Sequence, residues 1–82
     1  MPKGAPSAKS LYSAEYDAFL RALRDARIKA GLTQAEAARL LKRPQSFVSK
    51  CESGERRVDV IEALAFCRAY GVSLSRILPK VR

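Results

Sequence analysis

The chain has 82 residues, which is enough for one hydrophobic core but too few for a second domain or a deep interdomain cleft. Hydrophobic residues make up 48% of it, a globular composition, and its apolar runs are too short to span a membrane. Sixteen Lys and Arg residues against eight Asp and Glu residues give a net charge of +8, which favours a polyanionic partner.

Nucleic acid is the commonest partner of so basic a domain, an anionic membrane surface is a rarer one, and a merely soluble basic surface is the plain alternative. Catalytic and metal-binding residue types are scarce. The chain has no histidine, the commonest general base, and its two cysteines, Cys51 and Cys67, cannot supply the four ligands of a zinc site. We therefore expect no enzymatic activity, no metal, no cofactor, and two reduced cysteines in the core.

The N-terminal segment differs in composition from the rest of the chain. Residues 1–12 are rich in Pro, Gly, Ser and Lys and lack the apolar segment of a secretory signal. We expect them to form a flexible basic tail on a cytoplasmic protein, and residues 13–82 to form one domain. The first helix should run from Ser13 to Ala30, because apolar residues recur there at spacings of three and four and Gly31 follows.

A second and a third helix follow, separated by a short turn. Thr33 and Glu36 form the Thr-x-x-Glu pattern of a capping box, which predicts the start of the second helix. Pro44 should end that helix and open the third, because proline disfavours helical geometry in the residue before it and suits a first turn. In the third helix we expect Val48 and Cys51 to point inward, and the outer side to carry Gln45, Ser46, Ser49 and Lys50.

Two further helices are predicted after Gly54. Asp59 and Glu62 can cap the fourth helix, whose inward stripe should be Val60, Ala63, Leu64, Cys67 and Tyr70, with Phe66 beside it. Ser73 can cap a short fifth helix, which Pro79 stops and which carries Leu74, Ile77 and Leu78. The sequence therefore predicts an all-α bundle of five helices without strands.

The segment from Gly31 to Gly54 strongly resembles the helix-turn-helix of the XRE family, also called the Cro or phage-repressor type. It combines the capping box, the proline-opened helix and a Glu-x-Gly exit, and the resemblance continues from Gly71 to Leu78. The resemblance implies a lambda-repressor-like bundle that binds double-stranded DNA and inserts its third helix into the major groove.

The resemblance also implies which residues touch DNA. The exposed positions of the third helix would read bases: Gln45, Ser46, Ser49 and Lys50. Gln suits adenine and Lys suits guanine, although each could also be an ordinary solvated residue of a surface helix. Phe47 is expected on the outer or lateral side, where it could touch a thymine methyl or a sugar, or pack on the second helix.

Phosphate contacts would come from residues around the third helix. Gln34 opens the second helix, whose N-terminal amides can donate to an anion, and in the family this glutamine contacts a phosphate. The flanking cations would lie near the sugar-phosphate walls, or serve solubility alone: Lys42, Arg43, Arg56 and Arg57. In the resembled family an arginine and a glutamate at the positions of Arg27 and Glu52 form an interior ion pair, so we assign both a structural role.

These features favour a small sequence-specific transcriptional regulator, and more specifically a repressor, located in the cytoplasm and associated with the nucleoid when it is bound to DNA. A homodimer is expected through the C-terminal helix and the residues after it, Leu74, Ile77, Leu78 and Val81, with no membrane or small-molecule ligand. A DNA-binding antitoxin or a restriction-modification controller of the same fold is the alternative. A pure protein-interaction module is a third possibility, which the basic surroundings of the third helix disfavour.

Overall fold

Five helices follow one another along residues 14–79, the part of the chain that this computed structural model describes. They are α1 (Ala14–Lys29), α2 (Gln34–Leu41), α3 (Gln45–Ser53), α4 (Val60–Tyr70) and α5 (Leu74–Ile77). No strand occurs within that range, so the predicted all-α five-helix architecture is confirmed. The proposed tail, the Ser13 cap and Val81 lie outside the described residues. None of the described helices has the length and apolar character needed to cross a membrane.

Two capping boxes fix the starts of α2 and α4, as predicted. At α2 the Glu36 amide donates to Thr33 Oγ1 over 3.1 Å, and the Thr33 amide donates to Glu36 Oε1 over 2.9 Å. The Thr33 amide, which donates to this carboxylate, and then the Thr33 hydroxyl lower the pKa of the Glu36 carboxyl. At α4 the Glu62 amide donates to Asp59 Oδ1 over 2.7 Å, and the Asp59 amide donates to Glu62 Oε1 over 3.1 Å. Both helices thereby satisfy amides that lack an intrahelical partner.

The turn between α2 and α3 differs slightly from the prediction. Lys42 ends α2 in the left-handed conformation with φ 58°, and its amide donates to the carbonyls of Ala38 and Arg39. Pro44 has φ −63° and ψ 153°, so it is the extended N-cap before the helix and not part of its first turn. The first residue of α3 is therefore Gln45, which fixes which side chains share each helix face.

The core lies where α1, α3 and α4 meet, and its fully buried large side chains are Phe66, Leu23, Val48 and Cys51. Two expectations for α4 are wrong. Phe66 sits at the centre of the inward face and not beside it, whereas Val60 is 62% exposed. Leu64 is only partly buried. Val60 follows the expected spacing but belongs to the first turn, where it borders a surface groove between α1 and α5 that no described side chain fills.

Both cysteines are free thiols in the core, as the sequence predicted. Cys51 is fully buried on α3, and Cys67 is 3% exposed on α4. Burial raises the pKa of both thiols, which keeps them protonated near neutral pH. They act as small apolar residues that let the helices approach closely.

Candidate nucleic-acid interface

One face of α3 is polar and exposed, and the opposite face is core. The exposed side chains are those predicted from the sequence, Gln45, Ser46, Ser49 and Lys50. Val48 and Cys51, which are fully buried, anchor the helix. A helix fixed on one side with short polar residues on the other is suited to present hydrogen-bonding groups to base edges in a groove.

Phe47 does not belong to the exposed face, so the expectation that it lies on the outer or lateral side is wrong, and of the alternatives left open by the sequence the structure shows packing. Its side chain is buried, with 8% exposure, and its ring stacks on Phe66 of α4 at 5.8 Å between centroids and an interplanar angle of 4°. The helical repeat explains this placement. Successive residues turn by about 100°, which puts Phe47 about 40° from Cys51 and inside the apolar stripe.

Two arginines that flank α3 in the sequence come together at Phe47. The guanidinium carbon of Arg43 lies over its ring at 4.2 Å from the centroid, and that of Arg56 at 4.9 Å. Arg43 precedes α3 and Arg56 follows it, yet both also contact one carboxylate, that of Glu62. The two cations therefore lie together on one side of α3.

Glu62 was predicted only as a helix cap, and the structure gives it a second role. Its oxygens accept from Arg56 Nη1 and Nη2, each over 2.8 Å, and Oε2 lies 3.8 Å from Arg43 Nη2. Arg56, followed by the Asp59 amide and Arg43, lowers the pKa of the Glu62 carboxyl. Sequence reasoning missed this cluster because the capping box already accounted for Glu62.

The remaining predicted phosphate contacts lie at different places. Lys42 is exposed in the turn before α3, and Arg57 places its guanidinium carbon 4.3 Å from the centroid of the Tyr16 ring on α1. Gln34 is partly buried at the first turn of α2, and its Nε2 donates to Glu52 Oε1 over 3.0 Å. Its side-chain amide is therefore tied to the end of α3.

Arg27 and Glu52 form the interior ion pair that the resemblance implies. Arg27 Nε donates to Glu52 Oε2 over 2.6 Å, and Nη2 donates to Oε1 over 3.1 Å. Arg27 Nη1 also donates to the Leu32 carbonyl over 2.8 Å, and the two side chains are only 10% and 5% exposed. This network joins α1, the loop before α2, and α3, so it sets the orientation of α3 against the rest of the bundle.

Comparison with known proteins agrees with this geometry. A family model described as a helix-turn-helix domain matches residues 18–77. A solved structure of an XRE-family like protein from Pseudomonas syringae pv. tomato strain DC3000 is 51% identical, with a TM-score of 0.78, and the match covers 84% of each chain. The chain belongs to the XRE family of helix-turn-helix proteins.

A second solved structure, the clp gene regulator ClgR from C. glutamicum, is 26% identical to the present chain, with a TM-score of 0.72. That match covers 79% of this chain and 84% of the ClgR chain. A search of curated protein sequences finds no match. As an XRE-family helix-turn-helix protein, the chain is a transcriptional regulator that binds double-stranded DNA.

Proposed function

We propose that this regulator represses transcription by inserting α3 into the major groove of a specific duplex site in the cytoplasm. The observation that carries the proposal is the two-sided character of α3. Its polar side chains are exposed, while Phe47, Val48 and Cys51 anchor the opposite side in the core. The groove accepts one helix, and a rigidly held helix can present the same donors and acceptors to each site it tests.

In this proposal the exposed residues of α3 read sequence. Gln45 has an amide that can pair with adenine N6 and N7, and Lys50 can donate to guanine O6 and N7. Ser46 and Ser49 can hydrogen-bond either kind of base edge. Since residues 14–79 contain no ion pair that involves Lys50, its ammonium needs no internal partner to be displaced before it meets a base.

Phosphate contacts would orient the helix without reading sequence. Lys42 and Arg43 lie just before α3, and Arg57 lies in the loop after it. Gln34 gives one hydrogen of Nε2 to Glu52, so its second hydrogen would reach a phosphate together with the N-terminal amides of α2. Arg56 also follows α3 in the sequence, but its guanidinium is bound to Glu62.

Binding measurements on two duplexes distinguish base reading from phosphate contact. The first duplex is selected by the wild-type chain from a random library, and the second has random sequence. Gln45→Ala and Lys50→Ala should cost about 1–3 kcal/mol on the selected duplex and far less on the random one. Arg43→Ala should weaken both alike and reduce the slope of log K against log salt by about one unit.

Lys29→Ala is the matched control for Lys50→Ala, because it removes one exposed positive charge from the end of α1, near α5. It should change neither the preference between the duplexes nor the salt slope. Fluorescence anisotropy across a salt series gives both quantities. If Gln45→Ala and Lys50→Ala weakened both duplexes equally, α3 would not be the reading helix.

We further propose that the protein dimerises through the surface formed by α5 and the start of α4. Ile77, one of the expected contacts, packs in the core with 4% exposure and does not contribute to this surface. Leu74 is partly buried, and Leu78, which is 48% exposed, lines the same groove as Val60, which is 62% exposed. Exposed apolar side chains grouped in this way are typical of an association surface.

Sedimentation equilibrium tests the dimer. Leu78→Asp should shift the population towards monomer, because it places a carboxylate in the apolar contact. Leu40→Asp is the control, since Leu40 is 57% exposed on α2, away from α5. A wild-type chain that stays monomeric at all accessible concentrations, with and without DNA, would exclude a dimeric regulator.

A further inference from the structure

The cluster around Phe47 contains two arginines and one carboxylate, and the two arginines contact the carboxylate differently. Arg56 gives Nη1 and Nη2 to the two oxygens of Glu62 over 2.8 Å each, a bidentate pair. Arg56 Nη1 also donates to the Arg57 carbonyl over 3.1 Å. Arg43 approaches the same carboxylate only at 3.8 Å and makes no hydrogen bond to it. The Arg56 guanidinium thus binds the carboxylate through both terminal nitrogens, whereas the Arg43 guanidinium is only close to it.

The carboxylate that holds Arg56 is itself held in place. Glu62 Oε1 accepts from the Asp59 amide in the capping box of α4, and the side chain is only 13% exposed. A phosphate that bound Arg56 Nη1 and Nη2 would take the main hydrogen-bond partner away from this partly buried carboxylate. An arginine–phosphate pair can be bidentate as well, so the exchange gains a pair of the same kind but leaves Glu62 unpaired, which makes it unfavourable.

We propose that Glu62 masks Arg56 from DNA, so that Arg43 is the phosphate-contacting arginine of this cluster. The proposal deepens the proposed function and rests on it. The two guanidinium groups are similarly exposed, 46% for Arg43 and 42% for Arg56, and both lie over Phe47. They differ in hydrogen bonding: within residues 14–79 the Arg43 side chain donates to no acceptor, so its donors are available to a phosphate, whereas Arg56 gives Nη1 and Nη2 to Glu62. Glu62 is then a positioning residue that sets how many phosphates the protein neutralises, and therefore how strongly it binds DNA of any sequence.

The salt dependence of binding to a random-sequence duplex counts the phosphate contacts directly. Each contact contributes about 0.9 to the slope of log K against log salt. We expect Arg43→Gln to reduce the slope by about that amount, which makes its affinity loss about 3.5-fold smaller at 200 mM than at 50 mM salt. We expect Arg56→Gln to leave the slope of the wild-type chain unchanged, because the masked arginine makes no contact.

Removing the mask should reverse the result for Arg56. Glu62→Gln keeps an acceptor for the Asp59 amide, since glutamine also completes a capping box, but it loses the charge that holds the Arg56 guanidinium. The slope for Glu62→Gln should steepen by about 0.9, and adding Arg56→Gln to that variant should return it to the wild-type value.

Glu55→Gln is the charge-matched control. Glu55 is exposed in the same loop as Arg56, and residues 14–79 contain no ion pair that involves it. It removes one negative charge from the neighbourhood of α3 without releasing a guanidinium. Adding Arg56→Gln to Glu55→Gln should therefore leave the slope unchanged, in contrast to the Glu62→Gln pair.

A measurement on the wild-type chain makes the test independent of variant folding. During titration with the random duplex, the NMR signal of the Arg43 Nε–H group should shift, and that of Arg56 should stay in place. A slope reduction for Arg56→Gln alone, or equal shifts of both signals, would overturn the masking by Glu62 and leave the proposed function intact. A wild-type chain that does not bind the duplex at about 50 mM salt would overturn the proposed function, and the masking with it.

Discussion

Arg27→Ala should lower the free energy of unfolding by about 3–5 kcal/mol, the range expected when one partner of a buried ion pair is removed. The loss arises from what remains behind. Glu52, which is 5% exposed in the wild type, would be left with its charge paired by no guanidinium, and the Leu32 carbonyl would lose the donor that now lies 2.8 Å away. Urea unfolding followed by circular dichroism measures the change.

Arg24→Ala is the matched control, because Arg24 is an exposed arginine on the same helix with no ion pair among the described residues. Its effect should stay within about 0.5 kcal/mol of zero. If Arg27→Ala and Arg24→Ala had the same unfolding midpoint, the ion pair would carry no net stability.

Replacing both partners separates the value of the pair from the cost of leaving one charge alone. In Arg27→Met with Glu52→Met, no buried charge remains and similar volumes are filled, so most of the stability should return. The main role of the wild-type pair would then be to set the orientation of α3 against α1, with only a small contribution to the free energy of unfolding. Gln34, which donates to Glu52 over 3.0 Å, extends this constraint to the start of α2.

The features that the sequence predicted well depend on neighbouring residues. Both capping boxes join residues three positions apart, Thr33 with Glu36 and Asp59 with Glu62, so the chemistry is visible in four letters of sequence. The exposed face of α3 is similarly local, since it follows from the helical repeat once the first residue is known. The interior pair of Arg27 and Glu52 spans 25 residues, and only the resemblance to a known family indicated it.

The features that the sequence did not predict depend on how α4 packs against α3. Phe47 contacts Phe66, which is 19 residues further along the chain, and no spacing rule relates the two. Val60 has the spacing of a core residue, but the groove beside it is left open to the surface. The second role of Glu62 likewise requires Arg43 and Arg56 to arrive from opposite ends of α3. Tertiary contacts of this kind appear only once the helices are placed together.

Phe47→Ala should lower the free energy of unfolding by about 3–5 kcal/mol, as expected when a large aromatic side chain is truncated in a packed core. The ring is only 8% exposed, stacks on the fully buried Phe66, and lies beneath the guanidinium groups of Arg43 and Arg56. Its removal leaves a cavity between α3 and α4 and takes away the aromatic surface that both cations cover. Thermal or urea unfolding of the wild type and the variant measures the loss.

Ser46→Ala, on the neighbouring exposed position of the same helical turn, is the control and should change stability by about 0.5 kcal/mol or less. Phe47→Leu refines the result, because it keeps an apolar side chain in the cavity and should recover a large part of the loss. Phe47 is a core residue only if Ser46→Ala is the most stable of the three variants, Phe47→Leu is intermediate and Phe47→Ala is the least stable. A Phe47→Ala chain as stable as Ser46→Ala would mean that the ring lies outside the core.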